Sequence, residues 1–368
     1  MAIEIVAYQR HHVPAVEAFN ARLLAGGSPY RFPESDVPAW LPPAPGERLY
    51  QEIFLAVEGA DVRGGYLLKH QDFAIGQSVQ SVGAFQLPLS EGAVDPAYSL
   101  IGIQLLRHAL RRQPLLYALG IGSYEEEAAR LLLAARFEIA KVPFFFRAER
   151  PAAFLRQIEA ARTSRLRRLG LDVAAATGLG AVGMRFLQRE RSPVRADVRV
   201  QQLAAFDSAV DAVWGASAGA LGFAAVRDRA TLRRLYDEDG NRFTRLGLAD
   251  EGGLRGWVVL LSTRKSSDKY FGDLNVGSIV DLQAVPGFER AVIVAAVEHL
   301  RRDGVDIIVT NQSLGGIREG LRQSGFLSGP SNFLFCASPA LRSLIGPLEA
   351  GLATFHLGRG DGDGPIHL

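Results

Sequence analysis

The feature that most constrains this chain is an internal repeat. The stretch from Gln86 to Phe146 reads as strand, loop, helix, strand, helix, strand, and the same succession returns from Asp281 to Phe335. In the first copy an apolar strand ends at Gln86-Leu87-Pro88, and a Gly/Asp/Pro loop leads into helical spacing over Tyr98 to Arg111. The buried-strand run Leu115 to Ile121 follows, then a short helix ending at Phe137 and a strand over Pro143 to Phe146. The second copy runs Ile279-Val280-Asp281, a Pro286-Gly287 loop, helix Phe288 to Arg302, strand Val305 to Thr310, a helix ending at Gly325-Phe326, and strand Phe333 to Phe335. Gly65 and Gly256 lie 191 residues apart, and the pairs Phe137/Phe326 and Phe146/Phe335 each lie 189 apart. A spacing kept over that much chain points to a duplicated domain, the alternative being two unrelated α/β units of similar rhythm.

The chain of 368 residues is long enough for two such domains, each with its own core. Apolar residues at 48% and charged residues at 22% place it among globular proteins, and a net charge of +2 gives no footing for nucleic-acid binding. The single cysteine, Cys336, sits in an apolar run, which excludes an intramolecular disulfide and a cysteine metal cluster and fits a reducing, cytoplasmic setting. Met1 to Arg10 reads as a strand rather than a signal peptide.

Along the chain, Val13 to Ala25 has helical spacing, and Ser28 to Arg48 is an irregular loop with six prolines. Tyr30, Arg31 and Trp40 on that loop are candidate substrate contacts; a lid over a core edge is the other reading. Residues 151–195 carry nine arginines against Glu159, Asp172 and Glu190. Either this is a connecting helix facing acidic surfaces or a basic amphipathic patch making peripheral membrane contact. Asp237 to Asn241 lacks the terminal glutamate of a calcium loop, and no metal site is expected. The glycine-rich end after Gly358 reads as a solvated tail. The expected organisation is therefore a first domain over 1–150, a basic connector over 151–195, a second domain over 196–345 and a tail over 346–368.

Antiparallel strands leading to strand, loop, helix, strand, helix, strand resemble the GNAT acyltransferases, here in tandem. The resemblance implies an α/β (α+β) fold: two domains, each a mixed, mostly antiparallel sheet flanked by helices. Ala97 to Leu106 resembles that family's pyrophosphate loop, Arg/Gln-x-x-Gly-x-Gly/Ala, in which helix-start N–H groups hold the phosphates of an acyl-CoA. Of its glycines Gly102 remains, with Leu100 at the other position, and the implied cofactor contacts are Gln86, Leu87, Tyr98, Leu100, Ile101, Gly102 and Ile103. The second copy has Glu289 beside the expected phosphates and no Gly-x-Gly, so the first half is the expected cofactor half.

The chemistry the family implies is attack of an amine or hydroxyl on a thioester, with a tyrosine protonating the leaving thiolate. That tyrosine's position, five residues before the Phe of Gly-Phe, holds Leu132 in one copy and Leu321 in the other. Tyr124 is the substitute acid, or else an exposed aromatic at a helix start. Asp281 is the candidate general base, or else a turn-capping carboxylate. His70 and His108 read as surface or helix-packing residues. Arg227-Asp228 followed by Leu232 to Tyr236 resembles tandem GNAT proteins of polysaccharide biosynthesis, which adds both residues to the substrate candidates. The leading expectation is an N- or O-acyltransferase using acetyl-CoA or another acyl-CoA, with an amino-sugar, glycan precursor or other small molecule as acceptor. A FemABX-like aminoacyltransferase and an inactive binding or scaffold protein are the alternatives.

Overall fold

The computed structural model describes residues 2–34, 41–158, 178–189, 197–236, 242–268 and 270–362. In chain order the elements are β1 (Glu4–Ala7), α1 (Val13–Ala25), β2 (Tyr50–Glu58), β3 (Asp61–Ile75), β4 (Ser78–Ser90), α2 (Ile101–Arg112), β5 (Leu116–Leu119), α3 (Glu127–Ala134), β6 (Glu138–Lys141) and β7 (Phe144–Ala148). They continue with α4 (Pro151–Gln157), α5 (Leu179–Leu187), β8 (Arg199–Gln202), α6 (Ala209–Ala218), β9 (Phe223–Ala225), α7 (Arg229–Tyr236), β10 (Thr244–Asp250), β11 (Gly253–Arg264) and β12 (Asn275–Ala284). The last are α8 (Glu289–Arg302), β13 (Ile307–Asn311), α9 (Gly315–Gln323), β14 (Leu327–Gly329), β15 (Leu334–Ala337), α10 (Pro339–Ile345), α11 (Leu348–Gly351) and β16 (Phe355–His356).

Two compact units form. One takes residues 1–141 and 332–351, the other 142–331 and 352–368. In the first unit the strands run β1-β2-β3-β4-β5-β15-β6, with β4 and β5 parallel and their neighbours antiparallel. The second unit repeats this as β8-β10-β11-β12-β13-β7-β14, with β12 and β13 parallel. The mixed, mostly antiparallel α/β fold expected from the sequence is the one observed.

Each unit's last inserted strand comes from the other copy of the repeat. Phe144–Ala148, expected to close the first sheet, lies between β13 and β14, and Leu334–Ala337, expected in the second, lies between β5 and β6. The units are therefore not the continuous spans 1–150 and 196–345. Both strands are short runs of four or five mostly apolar residues, too short for alternation alone to say which sheet receives them. Phe145 ends in the core of the second unit with Leu248, Ile279 and Val292, and Cys336 in the core of the first with Leu105, Leu116 and Leu132.

The glycine-rich C-terminus is also unlike the solvated tail expected of it. Through Gly362 it is packed: β16 pairs in parallel with β9, and Asp361 is buried against Arg227. Gly360 is required there, because a Cβ would lie 2.3 Å from the Tyr236 hydroxyl oxygen. The glycines serve close packing rather than freedom.

Candidate functional site

In each unit the central parallel pair is hydrogen-bonded at one end and then separates. β4 and β5 are in register at Gly83/Leu116 and Ala84/Tyr117, after which β4 continues for six residues without that partner. β12 and β13 are in register from Val276/Ile307 to Ser278/Val309 and then diverge. Each opening is accompanied by a bulge in the longer strand. Leu67 pairs with Gln86 and Gly65 with Leu89, which leaves Leu87 and Pro88 opposite Tyr66, and Leu87 sits at φ +45°. In the second unit Val259 pairs with Asp281 and Leu260 with Ile279, so Val280 is the extra residue. A bulge re-aims backbone groups that would otherwise serve the ladder, here beside an opening between strands.

No protein-family model matches the sequence, and no curated protein matches it. Solved structures do. A GCN5-related N-acetyltransferase from Anabaena variabilis superposes with a TM-score of 0.55 at 10% identity, over 91% of this chain and 72% of that one. The chain carries the GNAT fold. A probable N-acyltransferase from Enterococcus faecalis gives 0.52 at 7% identity over 93% and 74%, and the Saccharomyces cerevisiae N-myristoyltransferase with bound myristoyl-CoA gives 0.51 at 11% over 91% and 79%.

The two GNAT clefts differ in chemistry at their helix starts. In the first unit α2 has no acidic residue in its opening turn and no side chain capping it. Leu100, at the cap position, is 64% exposed, and a Cβ at Gly102 would meet nothing closer than Leu131 at 3.5 Å. The first N–H groups of a helix lack intrahelical partners, and here no carboxylate competes for them, so the site fits an anion such as a pyrophosphate. In the second unit Glu289 opens α8 and its carboxylate accepts from the Gly287 N–H at 2.8 Å. That helix start is already served by an acid of the chain and does not fit phosphates.

The other candidate cofactor contacts have separate partners in the first unit. Gln86 is buried and accepts from Gln51 Nε2 at 3.1 Å. Tyr98 stacks under Arg63, whose guanidinium carbon lies 4.4 Å from the ring centroid, and its hydroxyl donates to Glu58 at 3.3 Å. Ile101 is buried, whereas Ile103 points outward. The loop leaving the far end of β5 turns at Gly120 and Gly122, both at φ +92°, and carries Tyr124. Tyr124 is 41% exposed with Lys141 Nζ 5.5 Å from its ring, and burial, with Cys336 and Glu349, raises its phenol above the ordinary value. At the tyrosine positions of the family pattern, Leu132 and Leu321 are both core residues.

Asp281 and Arg227 are brought together, but in the interior. Arg227 Nε donates to Asp281 Oδ1 at 3.0 Å, Nη2 to Asp361 at 2.8 Å, and Nη1 to the Ala225 carbonyl at 3.0 Å. Tyr236 donates to Asp281 Oδ2 at 3.1 Å. Burial pushes the Asp281 carboxyl up to about 6, with Arg227 opposing and Asp361 adding to the rise. Both oxygens of Asp281 accept hydrogen bonds from within the chain, Oδ1 from Arg227 and the Leu282 N–H and Oδ2 from Tyr236. Asp228 accepts from the Thr231 N–H at 2.8 Å and caps α7.

On the proline-rich loop, Tyr30 and Arg31 are exposed and Trp40 lies outside the described residues. Phe32 between them is fixed by Asn20, which accepts from its N–H at 2.8 Å and donates to its carbonyl at 2.7 Å. His70 pairs with Glu52 at 2.8 Å and His108 bonds Tyr66 at 2.7 Å. Of the basic connector, α4 and α5 are described; α5 exposes Leu179, Val182, Phe186 and Leu187. Among the described residues no helix is long and apolar enough to cross a membrane, and no group of three His, Cys, Asp or Glu could hold a metal ion.

Sequence reasoning did not find Ser217, Gln283, His356 or Asp361. They come from four separate segments, and none belongs to a local motif.

Proposed function

We propose that the chain is an acyl-CoA-dependent acyltransferase whose thioester donor is held by the first unit. The observation that carries this reading is the opening of β4 from β5 together with an α2 start that presents N–H groups and no acid. In the second unit the equivalent groups face Glu289. Solved structures of similar fold include a GCN5-related N-acetyltransferase and an N-myristoyltransferase with myristoyl-CoA bound, which supports an acyl-CoA in general.

In this reading the N–H groups of Ile101, Gly102 and Ile103 bind the pyrophosphate, and the bulge at Leu87 supplies backbone groups to the thioester. Tyr124 retains its proton at neutral pH and donates it to the departing thiolate. The acceptor is an amine or hydroxyl, with amino-sugars and other polysaccharide precursors as the finer assignment from the sequence resemblance. The apolar face of α5, within the arginine-rich 151–195 segment of the sequence, supports peripheral contact with an anionic membrane.

Calorimetric titration with acetyl-CoA, myristoyl-CoA and desulfo-CoA tests donor binding, and release of free CoA thiol with a panel of amines and amino-sugars tests turnover. Binding by none of the three would sink the donor assignment. A second reading, a binding protein without turnover, is favoured by the buried Leu132 and Leu321; binding with no thiol release across the panel would support it.

A further inference from the structure

The second unit holds a pocket to which the acyl-donor reading gives no role. A cavity of about 120 Å³ lies where β12 and β13 have separated, floored by Ser217, Gln283 and His356, walled by Leu221 and Ile317, with Glu289 at its mouth. The three floor residues are buried, at 5%, 2% and 0% exposure, while Pro286 and Gly316 at the rim are exposed. The cavity is thus reachable from solvent but ends on polar groups.

Those polar groups are not used up. Neither ring nitrogen of His356 has a hydrogen-bond partner among the described residues, and neither does Gln283 Oε1. The amide orientation follows from its neighbour. The Ser217 hydroxyl donates to the Val213 carbonyl at 2.7 Å, so its oxygen accepts from Gln283 Nε2 at 2.5 Å, leaving the amide oxygen as the open atom. The His356 ring is held by its backbone: Ser313 Oγ donates to the Phe355 carbonyl at 2.5 Å and accepts from the Leu357 N–H at 2.8 Å. Burial first, and then Arg227, keeps this imidazole far below its ordinary value, hence neutral. It offers one donor and one acceptor. Gly316 leaves room for the acid, since a Cβ there would be 2.9 Å from Glu289 Oε1.

The inventory is acceptor-rich and anionic at its mouth. It repels phosphates and carboxylates, and a purely apolar guest would leave the amide oxygen and imidazole unmatched. We propose that this cleft is a binding site for a small primary amine, with its ammonium group set against the Glu289 carboxylate and its hydrogens donated to Gln283 Oε1 and a ring nitrogen of His356. Leu221 and Ile317 take the carbon chain. The duplicated cleft has exchanged an anion-binding helix start for a cation-binding one. The site stands independently of the acyl-CoA assignment, because every residue in it belongs to the second unit and none is among the donor contacts of the first.

Calorimetry on the full chain decides it, with ethanolamine as probe and ethylene glycol and acetate as controls. Ethanolamine is expected to bind saturably with a Kd on the order of 1 mM, as fits so few heavy atoms. Ethylene glycol should bind about tenfold more weakly and acetate not at all. Glu289→Gln, at the rim, should keep its thermal midpoint and weaken ethanolamine about tenfold, and Gln283→Leu should weaken it about tenfold as well through the lost acceptor. A histidine ring-nitrogen spectrum should show one neutral histidine shifting with ethanolamine and not with acetate. Absence of saturable ethanolamine binding overturns the proposal, as does binding unchanged in Glu289→Gln; the pocket then holds water alone. Acyl-CoA titration in the same buffers reports on the first unit separately.

Discussion

Arg227 and Asp361 are 134 residues apart in sequence and form a buried ion pair at 2.8 Å. Asp281 takes the other edge of the same guanidinium. One cation is thus shared by a carboxylate from a central strand and one from the end of the described chain. Removing the cation should cost far more than removing either acid. Arg227→Met is expected to destabilise the protein by about 3–5 kcal/mol, because two buried carboxylates are left facing each other. Asp361→Asn should cost only about 1–2 kcal/mol, since Asp281 still balances Arg227 and the amide can keep a hydrogen bond. Urea unfolding of the two variants checks the order, and equal losses would contradict this account.

The exchanged strands predict how the chain can be divided. A fragment ending at residue 150 carries β7, which the first unit does not use, and lacks β15, which it does. It should fail to unfold cooperatively. A fragment of residues 1–141 joined by a short linker to 332–351 should show a single cooperative transition by circular dichroism. A cooperative 1–150 fragment would argue against the exchange.

Gly102 separates helix stability from anion binding. Its site has space for a Cβ, so Gly102→Ala should stabilise α2 by up to about 1 kcal/mol. Gly102→Glu places an acid where Glu289 stands in the other unit and should weaken acyl-CoA binding at least about tenfold with the fold intact. Calorimetric titration with acetyl-CoA reads the difference.

His356 gives a pH dependence with a definite sign. Its folded pKa lies well below the unfolded value near 6.5, so the unfolded chain binds the proton first. Its contribution is fully present above about pH 6.5 and is lost as pH falls towards the folded value, by about 1.4 kcal/mol per pH unit. Asp281, raised to about 6, acts in the opposite direction, losing its contribution as pH rises through that value. Comparing His356→Phe with the parent cancels the Asp281 effect. The variant should gain relative stability as pH is lowered from 6.5 to 5, and a pH-independent difference would contradict a buried neutral imidazole.

The apolar face of α5 predicts membrane association. The parent should cosediment with anionic vesicles of phosphatidylglycerol and less with neutral phosphatidylcholine. Phe186→Ser with Leu187→Ser should reduce this severalfold. Sedimentation unchanged by the pair, or absent in the parent, would rule out this surface.

The sequence by itself determined the duplication, the fold of each unit and the contrast between Gly102 and Glu289, because these depend on periodicity and on one residue at a helix start. It also marked Leu132 and Leu321 as replacements, and burial in the two cores is what those leucines provide. Tertiary structure decided which sheet receives each of two short apolar strands, since four or five residues carry too little pattern to choose a partner. It decided that Asp281 is committed to Arg227 and that a glycine-rich end, legible only as a tail, supplies Asp361 and His356. Those outcomes depend on pairings between residues far apart in the chain, where a charge must find its counter-charge and a glycine admits a neighbour. No local pattern encodes the distance between them.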